Sequence, residues 1–77
     1  MIDPTRVEHR LAAAQDASVR AWARLRRAQA EALLGIRYDD VAMDRLILNA
    51  RRARQQADTA WAAWQTAVAA SAAVSAA

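Results

Sequence analysis

Only two residues in the chain, Pro4 and Gly35, can interrupt a helix, and Gly35 stands near the middle. From Gly35 to Ala77 there is neither another glycine nor another proline. Alanine is the commonest residue, and it forms helices best because it has no side-chain entropy to lose. Phenylalanine is absent and the β-branched residues are scattered, so no segment reads as a strand. Two long helices joined by one turn are the fold this punctuation favours.

The ends of those helices carry their own signals. Asp3 before Pro4 offers a capping carboxylate followed by proline at a first helical position, and Thr5 to Glu8 is an alternative capping box for the same start. Gly35 suits a left-handed C-terminal cap, with Ile36 placed for the apolar contact that goes with it. Asp39 or Asp40 is expected to cap the second helix. The expected layout is therefore helix one over about 4–34, a turn over about 35–39, helix two over about 40–72, and an Ala/Ser-rich tail that frays.

Apolar and small residues recur at helical spacing on both segments. Val7, Leu11, Ala14, Ser18, Trp22, Leu25 and Ala32 form one stripe, and Met43, Leu46, Ala50, Ala53, Ala57, Trp61, Trp64, Val68 and Ser71 form the other. The steps from Ala53 to Ala57 to Trp61 are both fours, which relaxes a seven-residue repeat and leads to an expectation of gentle or mixed supercoiling. A link this short makes the helices antiparallel neighbours. Folding about it opposes residues whose numbers sum to about 74: Trp22 with Ala53, Leu25 with Ala50, Trp61 with Ala14 and Trp64 with Leu11. The expected class is all-α, an antiparallel two-helix hairpin, completed by dimerisation into a four-helix bundle or by docking on a partner.

At 77 residues the chain is one domain at most, and a core of this size is marginal. Cysteine is absent, so no disulfide or thiolate metal site can reinforce it. His9, the lone histidine, cannot build a zinc site without other strong ligands. No apolar segment near Met1 reads as a signal peptide and none is long enough to span a bilayer, which leads to an expectation of a soluble cytoplasmic protein or a component of a larger assembly. The turn reads Leu34-Gly35-Ile36 and all three tryptophans fall within helices, unlike the Trp-x-Gly turn of the secreted WxG-type hairpins.

No catalytic, cofactor-binding or metal-binding constellation is legible. The serines have no histidine base, and the single glycine cannot make a phosphate-cradling loop. The reading is non-enzymatic. Two surfaces remain as candidates. One is basic: Arg6, Arg10, Arg20, Arg24 and Arg27 share a side of helix one, and Arg45 and Arg52 make a shorter stripe on helix two. Every basic residue is arginine, which a GC-rich genome would also write, and Asp16 stands four residues before Arg20 for a local ion pair. The other surface is apolar and sits at the turn: Leu34, Ile36, Tyr38, Val41 and Leu48, which a bare hairpin has no second layer to cover. These point to a protein–protein interaction or assembly module, such as a small accessory subunit, an inhibitor of a partner protein or a phage-encoded component. Its expected partner is itself, as a homodimer, or a larger protein with an acidic or apolar groove. A nucleic-acid-associated protein using the arginine face is the alternative.

Overall fold

The computed structural model describes residues 4–76 and is helical apart from one short link. Helix α1 spans Pro4–Leu33 and helix α2 spans Asp40–Ala76, and no strand occurs among the described residues. Set end to end, helices of these lengths would reach about 100 Å at 1.5 Å per residue. The molecule instead measures 62 × 15 × 14 Å, because α2 folds back along α1. It is a rod one helix pair thick.

The turn follows from three residues. Gly35 adopts φ 70°, a left-handed conformation that costs a side-chain-bearing residue about 1–2 kcal/mol. That reversal lets Ile36 N–H donate to the Glu31 carbonyl at 2.9 Å and Gly35 N–H to the Ala32 carbonyl at 3.1 Å. This six-to-one and five-to-two pair satisfies the carbonyls that end α1. The side chain of Ile36 is 70% exposed, so the apolar contact expected of it covers little of it. Asp39 then starts α2. Its Oδ1 accepts the N–H of Val41 at 3.0 Å and of Ala42 at 3.3 Å, while its carbonyl accepts Met43 N–H at 2.9 Å. Asp39 is thus the cap, and Asp40 lies in the first turn, where its charge favours the helix dipole.

At the other end, α1 already includes Pro4, so Thr5 lies within its first turn rather than at its cap. Asp3, the alternative cap, falls outside the described residues. Helix α2 does not end near residue 72; it continues through the alanine-rich tail to Ala76. With no glycine or proline to stop it, alanine propensity carries the helix past the level at which α1 begins. The last turns therefore lie beyond the described residues of α1, and Ser71, expected on the seam, is exposed together with Val74.

The seam is more regular than the apolar pattern implied. The inward positions of α1 are Val7, Leu11, Ala14, Ser18, Ala21, Leu25, Ala28 and Ala32, in alternating steps of four and three. Those of α2 are Met43, Leu46, Ala50, Ala53, Ala57, Ala60, Trp64 and Ala67, in steps of three and four. The expected pair of successive fours is absent because Ala60, not Trp61, takes the inward place after Ala57, and Ala67, not Val68, takes the one after Trp64; on α1 Ala21, where Trp22 was expected, stands opposite Ala53, and Trp22 is partly covered beside it. Opposed numbers sum to 74 or 75 in every layer, and Ala28 and Leu46 line the same small cavity. Four of the eight layers put one large side chain against alanine, three in the middle pair small residues, and Leu11 meets Trp64, so the two helices can pack closely. Leu25 at 3% exposure and Ala50 at 0% form the tightest such layer.

Candidate functional site

The first candidate surface is built by the turn. Leu34, Ile36, Tyr38, Val41 and Leu48 are all exposed, Leu34 by 74% and Leu48, the most covered of them, by 47%. None is buried by the turn folding over. The cause is geometric: the chain needs Leu34, Gly35 and Ile36 to reverse direction, and Val41 and Leu48 stand on the outer side of α2, away from the seam positions Met43, Leu46 and Ala50. Leu33 belongs to the same surface and is the most exposed large apolar side chain, at 89%. It was legible, since it follows the seam residue Ala32 by one and so points about 100° away from it.

Tyr38 closes the polar edge of this surface. The Asp40 carboxylate, first as a hydrogen-bond acceptor for the phenol and then through its negative charge, raises the phenol above its ordinary value. Behind it lies a cavity of about 210 Å³ lined by Ala28, Glu31, Arg37, Tyr38, Asp39, Ala42, Met43 and Leu46.

The second candidate surface is cationic. Arg6, Arg10, Arg20, Arg24, Arg27, Arg45 and Arg52 are all exposed. Arg20 pairs with Asp16 at 3.0 Å and Arg27 with Glu31 at 3.4 Å, each one helical turn apart. The other five make no ion pair with a described residue. The α1 and α2 stripes lie on one side of the hairpin: Arg10 and Arg52 line a single groove of about 450 Å³ with Val7, Gln55, Gln56, Thr59, Ala60 and Ala63, and no carboxylate lines it. The small residues Ala60 and Ala63 line it beside Val7.

Arg26, Arg51 and Arg54 extend the positive charge beyond that stripe. Between Asp16 and Glu31 on α1, and between Asp44 and Asp58 on α2, there are eight arginines and no carboxylate. The antiparallel register puts these two segments at the same height on the rod, with Glu31 opposite Asp44 at one border and Asp16 opposite Asp58 at the other. The result is a belt of formal charge +8 around the middle of the hairpin. The turn end, residues 31–44, carries Glu31, Asp39, Asp40 and Asp44 against Arg37, a charge of −3. The remaining open end is −2, which restores the total of +3. A face-by-face reading of the arginines misses this zoning, which becomes visible only once the sequence is folded about Gly35.

His9 is exposed, and no group of three or more His, Asp or Glu side chains that could hold a metal ion occurs among the described residues. No helix among them is long and apolar enough to cross a membrane. The chain matches no family model, no curated protein and no solved structure.

Proposed function

We propose that this protein is a non-enzymatic assembly module, a helical hairpin whose turn end docks on another helical surface, in the first instance a second copy of itself. What supports the reading is the concentration of large exposed apolar side chains at one end: Leu33, Leu34, Ile36, Tyr38, Val41 and Leu48. A hairpin one layer thick cannot cover them, and contiguous apolar patches of this kind mark interaction sites. Pairing two hairpins gives the second layer that the fold lacks, as in a four-helix bundle.

Assembly makes thermal stability depend on protein concentration, because association stabilises only the folded chain. A melting temperature that rises with concentration, and loses that dependence in the Val41→Glu/Leu48→Glu variant, is the expected result. A concentration-independent melt in both proteins would count against the assignment.

One observation favours a second reading, binding of a polyphosphate backbone: the groove lined by Arg10 and Arg52 contains no carboxylate. On this reading duplex DNA is retained at low salt and released steeply as salt rises.

A further inference from the structure

The charge zoning and the exposed apolar side chains occupy adjacent lengths of the same rod, and together they specify a partner. Within the belt, Arg20 and Arg24 are one turn apart, as are Arg24 and Arg27 and also Arg51 and Arg54, so like charges crowd on both helices. Among the described residues, only Arg20 and Arg27 of the belt are offset by an ion pair. The turn end has the opposite character. Its acids Asp39, Asp40 and Asp44 are interleaved with the exposed Ile36, Tyr38 and Val41.

The belt also offers an apolar seat. Ser18, Val19, Trp22, Ala23 and Arg26 line a shallow cavity of about 200 Å³ on the outer side of α1, and Val19 at its rim is 68% exposed. A surface that is acidic and apolar thus has a complement that is basic and carries an apolar hollow, and both are on one chain.

We propose that the arginine belt receives the turn end of a second copy, so that two hairpins lie side by side in opposite directions and overlap only over their turn halves. The proposal rests on the self-assembly reading above and gives it a geometry. The centres of the turn end and the belt lie about 15 Å apart along the rod at 1.5 Å per residue. Two copies related by a two-fold axis near Glu31 and Asp44 make the turn-on-belt contact twice, as an isologous dimer requires. The open ends then project from opposite sides of the dimer.

Charge exchange between the two zones tests this arrangement. The variants are Arg26→Glu/Arg51→Glu in the belt, where Arg26 lines the apolar seat, and Asp40→Arg/Asp44→Arg at the turn, and neither touches the seam or the Asp39 cap. Helical content by circular dichroism verifies that each folds, and mass by light scattering at low salt reads the assembly. The expected result is a wild-type dimer that dissociates as salt screens the contact, two variants that are each monomeric, and an equimolar mixture of the two that recovers the dimer mass. A mixture of folded variants that stays monomeric overturns the pairing of belt with turn end. A dimer that survives both reversals overturns it too, while leaving self-assembly through another surface intact. A monomeric wild type overturns both self-docking and the assembly reading, and retention of duplex DNA by that monomer would assign the belt to phosphate instead.

Discussion

Trp61 and Trp64 stack on each other with ring centroids 5.1 Å apart and planes 26° from parallel. They are one helical turn apart, yet only Trp64 occupies an inward position, and Trp61 lies on the flank at 45% exposure. The two rings therefore differ in what they hold. Trp64→Ala is expected to cost about 2–3 kcal/mol, below the ~3–5 of a fully buried aromatic because part of the residue stays exposed. Trp61→Ala is expected to cost about 1 kcal/mol, the loss of a stacking partner. Urea unfolding of the two variants gives the comparison, and an equal or reversed order would remove Trp64 from the seam.

The Leu25–Ala50 layer tests the register of the hairpin. Leu25→Ala is expected to cost about 2–5 kcal/mol as a core truncation. Ala50→Leu adds volume where there is no free surface and is expected to cost about 1–3 kcal/mol. Because the two positions oppose each other, the exchanged double variant should be more stable than the sum of the singles by about 1 kcal/mol or more. Strictly additive losses would mean that these side chains do not meet.

At Gly35 a Cβ would meet nothing within 4 Å, so substitution strains only the backbone. Gly35→Ala is expected to lower stability by about 1–2 kcal/mol through its positive φ, and Gly35→Asn by less, since asparagine tolerates that region better. Chemical denaturation of both variants measures the difference. An alanine variant as stable as the wild type would show that the turn can rebuild itself without a left-handed residue.

Tyr38 supplies a pH signature. Its folded value lies above the ordinary 10.0 because the protonated phenol is the form that bonds to Asp40. The sign follows: the contribution is fully present below the unfolded value near 10.0 and is lost as pH rises through the higher folded value. Tyr38 is the chain's one tyrosine, so ultraviolet difference titration reports it alone. Asp40→Ala should lower the titration toward the ordinary value, with the charge of Asp44 still raising it, and an unchanged midpoint would remove Asp40 as the main cause.

Much of this architecture is legible in the sequence because it depends on local rules. Gly35, Ile36 and Asp39 act through backbone hydrogen bonds that span at most five residues. The seam was legible in outline but shifted near its open end. Reading by hydrophobicity selects Trp61 and Val68, whereas the helices admit Ala60 and Ala67, since small residues let two backbones approach. The end of α2 was not legible, because the tail has helix propensity and lies beyond the described residues of α1, and a propensity sum does not locate where such a segment stops. The apolar turn surface was largely legible, since residues away from the seam of a two-helix fold have nothing else to cover them. The belt was not, because it is assembled from two segments that are separated in sequence and brought level by the turn.

The most direct test of the turn end as an assembly surface is the absolute mass in solution, by light scattering on a sizing column over a wide concentration range. The wild-type chain is expected to elute at twice the 8.4 kDa chain mass, and the Val41→Glu/Leu48→Glu variant at the single-chain mass with its helicity intact. A wild-type protein that remains at the single-chain mass at every concentration, or a variant that keeps the dimer mass, would contradict it.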